Sequence, residues 1–315
     1  DLTKFKKDYP NWGITYSVER IIKDIICSIS PKSITSKLQG GIGNQMFQIA
    51  AAYAMSKKFN YNLIFKHNQF GGCRQGKHPS TYYSNIFQHI NFVREMKHAD
   101  INVPEMSWNA YPLTKQIEYI ENSVNNMDSL CLDGYFQSDW NWREYTNEIK
   151  QLFTPDGGVV SYLKNNTDIL EQYPELANPH DYAFLGVRRG DYITYPETHN
   201  PCGMTYYNIA LNKMNKDRYY IISDDIEWCK QNFVGEKYVY MDIKKDKDML
   251  LTMSLFKNYI ISNSTFYWWG SFLSVYDETR IIAPDKWIFG DGPKERYWSI
   301  YRKEMEVIER PIEIN

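Results

Sequence analysis

The chain has 315 residues, 43% of them hydrophobic and 23% charged, the balance of an ordinary globular protein with length for about two domains. The formal net charge of -2 argues against a general nucleic-acid binder, which carries a basic excess. No apolar run is long enough to span a bilayer, and the opening Asp1-Leu2-Thr3-Lys4 is not a signal peptide; it also lacks an initiator Met, which leaves room for domains or anchors upstream.

Residues 1–33 read as a lead-in segment. A helix from about Ser17 to Ser28 carries a broad apolar face, and Pro31 ends it. A first α/β domain, residues 34–180, opens with a strand near Ile34–Gln39. The glycine turn Gly40-Gly41-Ile42-Gly43-Asn44-Gln45 leads into a helix, in which Met46, Phe47, Ile49, Ala50, Tyr53 and Ala54 recur at helical spacing to about Lys58. A second strand near Asn62–Lys66 completes a βαβ unit. Residues 67–130 read as irregular structure with one or two helices. Leu130–Gly134 reads as a short strand and Asp139–Leu152 as a helix, before the break Pro155-Asp156-Gly157-Gly158.

The second domain, residues 181–315, alternates more cleanly. Strands are predicted at Tyr182–Val187, Arg218–Ser223, Lys237–Tyr240, Tyr259–Ser262 and, as the last, Arg280–Ala283. Helices fall between them at Met204–Met214, Ile226–Asn232, Lys247–Phe256 and Phe266–Ser274. That alternation predicts a parallel, doubly wound sheet, with several strands ending in polar or charged residues along one rim.

The five cysteines, Cys27, Cys73, Cys131, Cys202 and Cys229, are odd in number and scattered, with no C-x-x-C pair and no clustered His. A zinc site is not expected, and reduced thiols point to a cytoplasm-like compartment. Of the sequons at Asn165 and Asn263, the second lies in an apolar-aromatic segment where a glycan would not fit. Frequent Lys, Asn, Ile and Tyr hint at an AT-rich genome, a microbe or a virus.

Chemistry concentrates at the predicted strand ends. Arg188 and Arg189 follow a buried strand, where charge is costly without an anionic partner. They read either as a phosphate clamp, with Arg188 the clamp and Arg189 paired to an acid, or as a surface salt-bridge cluster with Asp191. Asp224 and Asp225 read as a cap on the next helix, as a carboxylate for the N1 and N2 donors of guanine, or as a metal pair. Asn263-Ser264-Thr265 reads as a helix cap or as hydroxyl and N–H donors to phosphate or ribose oxygens. The glycine turn lacks G-x-G-x-x-G spacing and a Gly-Lys-Ser/Thr, so neither a dinucleotide fingerprint nor a P-loop is specified. It reads as a plain tight turn or as a close backbone approach to a ligand. Phe266-Tyr267-Trp268-Trp269-Gly270 reads mostly as core.

These segments resemble glycosyltransferase family 11, the α-1,2-fucosyltransferases, across roughly residues 35–290. Gly40 through Gln48 is similar to the family's N-terminal signature, and Gly134-Tyr135-Phe136-Gln137-Ser138 to its middle motif. Arg188-Arg189-Gly190-Asp191-Tyr192, Ser223 through Trp228 and Asn263 through Gly270 resemble three more, in the family's order. Two positions depart from the pattern: Gly186 stands where the family usually has His, and Tyr267 where it commonly has Ser.

The resemblance implies a GT-B-like α/β fold, two Rossmann-like domains facing a cleft, with the acceptor on the first domain and the nucleotide sugar on the second. It implies an inverting enzyme that moves L-fucose from the donor substrate GDP-L-fucose to a glycan hydroxyl, α-1,2 to a β-galactoside, with no cofactor and no metal. The donor set it implies is Gly41, Gly43, Asn44, Arg188, Asp224, Asp225, Asn263, Ser264, Thr265 and Phe266. Arg188 is expected to stabilise the leaving phosphate, and Asp191, Glu197 and His199 are candidates for the base. Tyr82, Tyr83, Trp108 and Tyr111 read either as an acceptor surface or as packing. Two alternatives stay open: another nucleotide-sugar donor, or a non-catalytic glycan- or nucleotide-binding domain. A cytoplasm, of a microbe or of a virus-infected host cell, is expected rather than a Golgi lumen.

Overall fold

The computed structural model describes residues 32–67, 70, 71, 76–94, 96, 101–105, 128–287 and 299–309. The lead-in helix, Cys27, Cys73, Trp108 and Tyr111 lie outside the described residues.

Strand β1 (Ser33–Ser36) enters the glycine turn and helix α1 (Ile42–Phe59). Asn60 ends α1 in the left-handed conformation at φ 54°, a role for which its short amide suits it. The predicted strand 62–66 is two strands, β2 (Asn62–Leu63) and β3 (Phe65–Lys66), and they join different sheets. Three more short strands follow, β4 (Phe92–Val93), β5 (Ile101–Pro104) and β6 (Ser129–Asp133). One sheet has the order β2-β1-β6-β5, parallel throughout, and β3 pairs with β4 alone. The helix expected over 139–152 is two 3-10 turns and then α2 (Thr146–Phe153). Two helices that the sequence did not signal come next, α3 (Val159–Asn166) and α4 (Ile169–Gln172).

The second sheet begins with β7 (Ala183–Val187), then the short helices α5 (Gly190–Thr194) and α6 (Pro196–His199), and α7 (Met204–Met214). It continues through β8 (Tyr219–Ser223), α8 (Ile226–Asn232), β9 (Tyr238–Tyr240), α9 (Asp246–Met253), β10 (Asn258–Ile260), α10 (Thr265–Phe272), β11 (Arg280–Pro284) and β12 (Met305–Ile308). Among the described residues β12, not β11, is the last strand. All six strands are parallel, in the order β9-β8-β7-β10-β11-β12. Counted from β7 that is 3-2-1-4-5-6, the doubly wound nucleotide-binding order, with its reversal between β7 and β10.

The fold is therefore α/β and GT-B-like, built on two parallel Rossmann-like sheets. One apolar core runs through both. Phe47 of α1 lies 4.7 Å from Trp268 and 5.0 Å from Trp269, centroid to centroid, and Trp142 stacks on Trp269 at 5.4 Å. All four rings are buried. The chain after β11 also returns to the first sheet's side. Ser138 Oγ donates to Ser299 O at 3.0 Å, and Trp268 Nε1 to Ile300 O at 2.7 Å. Buried Arg302 follows, its guanidinium 4.7 Å over Trp268 and its Nη2 2.8 Å from Ser271 Oγ. Among the described residues, no helix is long and apolar enough to cross a membrane.

Candidate active site

The predicted rim exists. Strands β7, β8 and β10 deliver Arg188-Arg189, Asp224-Asp225 and Asn263-Ser264-Thr265 to their carboxyl ends, where open α/β sheets place their ligands at the switch point. Arg188 is held by two carboxylates: Nη1 lies 3.0 Å from Asp224 Oδ2, and Nη2 is paired with Asp191 Oδ1. Burial works against its charge, and Asp224 and Asp191 outweigh that, leaving its pKa above the ordinary arginine value. Asp191 meets Arg188 rather than Arg189. The chain turns into α5 after Arg189, which puts Asp191 three residues from Arg188 and in reach of it.

Arg189 instead pairs through Nε with Asp225 Oδ2 at 3.1 Å and lies 4.1 Å over the ring of Trp228. Its backbone N–H donates to Asp224 Oδ1 at 2.8 Å. Asp225 Oδ1 caps α8 by accepting the N–H of Trp228 at 3.2 Å, and Ser223 Oγ accepts the N–H of Asp225 at 2.9 Å. Two arginines thus face three aspartates, and the cluster carries no positive excess of its own.

The excess comes from two helix N-termini. Helix α10 has Ser264 at its N-cap and α1 has Gly41, and neither cap makes a side-chain hydrogen bond. No side chain caps the leading N–H groups of either helix, although that of Asn44 donates to Gly41 O at 3.0 Å, and the positive ends of both dipoles favour an anion there. The two ends meet. A Cβ on Gly43 would stand 2.7 Å from Thr265 C and 2.8 Å from Phe266 N, so this glycine permits the approach of α10. Only Gly40 of the turn uses a positive φ, +77°, while the space beside Gly41 is open.

Asn44 Oδ1 accepts from Gln137 Nε2 at 2.9 Å and from Thr265 Oγ1 at 3.0 Å. One carboxamide therefore joins the glycine turn, the middle motif and the last motif. Its Nδ2 lies over Gly40, where an added Cβ would come within 2.6 Å. Gln45 and Gln48 are buried and structural: Gln45 Nε2 donates to Gly40 O and Lys77 O, and Gln48 Nε2 to Gly134 O.

Glu105, which no sequence signal marked, holds the middle motif. Its carboxylate accepts the N–H groups of Tyr135 at 2.8 Å and Phe136 at 3.1 Å. Phe136 has a φ of 50°, unusual for an aromatic residue, and the clamp fixes that bend so that Gln137 reaches Asn44. Burial raises the Glu105 pKa, partly opposed by those two N–H bonds. It lies directly after β5, a strand that the sequence did not signal.

The remaining candidates divide. Asn263 is buried, with Nδ2 donating to His199 O at 2.6 Å and Trp287 O at 2.8 Å; it is a strut for the rim, and no glycan fits there. Phe266 is half-buried, while Trp268 and Trp269 are core. His199 stacks on Tyr192 at 4.4 Å and 10°. Burial lowers its pKa, opposed by Asp191 and aided by Arg188. Tyr192 in turn donates to Asn263 O at 2.9 Å. Glu197 is exposed on α6. Tyr82 is packing, since its hydroxyl donates to Asp246 Oδ2 at 2.6 Å, as is Tyr83, whose ring lies 4.0 Å from that of Phe92. Among the described residues, no group of three or more His, Cys, Asp or Glu is arranged to hold a metal.

The chain is 28% identical over 292 residues to the O-antigen biosynthesis glycosyltransferase WbnK of Escherichia coli, covering 82% of this chain and 95% of that protein. It is 28% identical over 277 residues to an α-1,2-colitosyltransferase of Escherichia coli, covering 81% and 92%. Among solved structures, the NodZ α-1,6-fucosyltransferase co-crystallised with GDP aligns at a TM-score of 0.48 and 12% identity, over 81% of this chain and 96% of that one. The family model described as Glycosyl transferase family 11 matches residues 23–308, a span that takes in both sheets and every motif of the rim, and the chain is a glycosyltransferase of that family.

Proposed function

We propose that the protein is an inverting fucosyltransferase that moves L-fucose from GDP-L-fucose to a glycan hydroxyl, in α-1,2 linkage to a β-galactoside. The observation that carries this reading is the meeting of two helix N-termini without side-chain caps, one of them following β10, which pairs with the strand that leads into Arg188. A diphosphate fits such a set, because the N–H groups and dipoles supply a field that the ion-paired arginines alone do not. In this reading Arg188 stabilises the leaving β-phosphate, Asp225 takes the guanine edge, and Ser264 and Thr265 hold phosphate or ribose oxygens. Asn44 turns its Nδ2 to the transferred sugar, while Gly41, Gly43, Asp224, Asn263 and Phe266 shape the donor pocket.

The reaction is one in-line displacement. The acceptor oxygen bonds to C1 of the sugar as the C1–O bond to the β-phosphate breaks, and GDP leaves with the electron pair. The acceptor proton passes to a base. Asp191 is committed to Arg188, so Glu197 on exposed α6 is the base in this reading, with His199 near it. No cofactor and no metal takes part, and full turnover in EDTA checks that. The proposal keeps the cytoplasm as compartment, consistent with Cys131, Cys202 and Cys229 as buried free thiols.

A second reading is favoured by one observation: a relative named an α-1,2-colitosyltransferase matches at the same 28% identity. A different GDP-sugar would then be the donor. Calorimetric titration with GDP and UDP separates the nucleotides. Incubation with GDP-L-fucose and a β-galactoside then tests transfer by GDP release and product mass. Absence of GDP binding overturns both readings, and GDP binding without transfer of fucose overturns the first.

A further inference from the structure

The two positions at which the chain departs from its family's pattern touch each other. Gly186 lies in β7, two residues before Arg188, and Tyr267 in the first turns of α10. A Cβ on Gly186 would stand 2.8 Å from Tyr267 Cγ, 2.9 Å from Tyr267 Cδ2 and 2.9 Å from Phe184 Cε1. Those are rigid ring atoms in a packed core, and none can give way cheaply. A side chain at 186 and a tyrosine at 267 exclude each other.

The Tyr267 hydroxyl has a defined task. It lies 2.9 Å from Val187 O and 3.1 Å from Ile222 O, and shares its proton between them. Register places Gly186 opposite Ile222 and Val187 opposite Ser223. The two carbonyls therefore belong to the last residue of β7, just before Arg188, and to the next-to-last residue of β8, two before Asp224. Burial, with Asp224 adding to it, pushes the phenol well above its ordinary pKa, so it stays a neutral donor. One hydroxyl from the helix that carries Thr265 thus ties together the strand ends that carry Arg188 and Asp224.

We infer that Gly186 and Tyr267 are a matched pair, and that Tyr267 is a positioning residue that sets Arg188 and Asp224 against the N-terminus of α10. The positioning role rests on the donor-binding reading above; the pairing does not.

The test has two arms. In the first, thermal midpoints are measured without ligand for Gly186→Ala, Tyr267→Ser and the double variant. Gly186→Ala is expected to lower the midpoint in the parent and to lower it clearly less beside Tyr267→Ser, where the Tyr267 ring is gone and only the contact with Phe184 remains; additive effects overturn the pairing. In the second arm, Tyr267→Phe keeps the ring and removes the donor. GDP affinity is expected to fall about fivefold to tenfold and kcat with it, with acceptor KM unchanged, since one hydrogen bond is lost at the donor side only. Unchanged affinity and turnover overturn the positioning role. Should Tyr267→Phe fail to fold, Tyr267→Ser with Gly186→Ala carries the same affinity measurement. A parent that binds no GDP overturns the donor-binding reading and the positioning role with it, while the ligand-free arm still decides the pairing.

Discussion

The hydroxyl of Thr265 donates to the carboxamide oxygen of Asn44 at 3.0 Å. This bond crosses from the first turn of α10 to the first turn of α1, and it fixes how two helix dipoles face one space. The same oxygen receives Gln137, so removing the Asn44 side chain strands two donors at once.

Asn44→Ala is therefore expected to lower turnover about 10- to 100-fold, with a loss of stability of only about 1 kcal/mol, because the stranded donors are part-buried and reach water. Thr265→Val, which keeps shape and removes one donor, should fall between the parent and Asn44→Ala. Steady-state kinetics beside thermal midpoints separate the two effects.

The two arginines should respond differently. Arg188→Ala is expected to cost about 10²–10³ in kcat, the scale for one preorganised donor to a developing negative charge. Arg188→Lys should recover little, because one ammonium cannot present the fork that meets both Asp191 and Asp224. Arg189→Ala removes the stack on Trp228 and the partner of Asp225, so its main effect should be a lower thermal midpoint and weaker guanine discrimination between GDP and ADP. Near-normal turnover of Arg188→Ala would end its assignment.

Gly43→Ala places a methyl against the backbone of Thr265 and Phe266. Backbone cannot rotate away, so the helices must separate. A destabilisation of about 1–3 kcal/mol is expected, with loss of activity beyond what the stability change explains. Gly41→Ala, facing open space, should cost less than half as much by urea titration.

Glu105 gives a pH signature. Its pKa is raised in the fold by burial, so the folded state binds the proton more tightly than the unfolded chain does. Stability from this group is full below its ordinary value of 4.5 and is lost as pH rises through the folded pKa. Glu105→Gln removes that slope. The difference in unfolding free energy between parent and variant, measured from pH 4 to pH 7, should change in that direction. Glu105→Ala, which drops both N–H bonds to Tyr135 and Phe136, should also lower activity by releasing Gln137.

Much of the second sheet was legible because each of its inner strands is an apolar run bounded by charge or turn residues, as in Ala183–Val187 before Arg188. Helices Met204–Met214 and Ile226–Asn232 were predicted with the bounds observed. What failed was short or at an edge. Strand β12 reads Met-Glu-Val-Ile, half exposed, with no alternation to mark it. Strand β5 ends in Pro104 at the edge of its sheet, where a missing N–H costs no ladder bond. The helix predicted from 139 breaks at Trp142, whose φ of -148° is not helical. At the site, the residue types were legible and their pairings were not. Which arginine meets which aspartate depends on how the chain turns into α5, and Glu105 depends on a fold that brings β5 beside β6.

The aromatic core that Phe47 and Trp142 share with Trp268 and Trp269 also constrains synthesis. Asn44 and Thr265 are 221 positions apart, which is roughly 10 to 40 s of translation at ordinary ribosome speeds. For that interval Phe47 lacks the two indoles of α10 that it packs against in the finished fold. A chain stopped before residue 265 lacks Thr265, Trp268 and Trp269, so the last motif completes the shared core and the rim together.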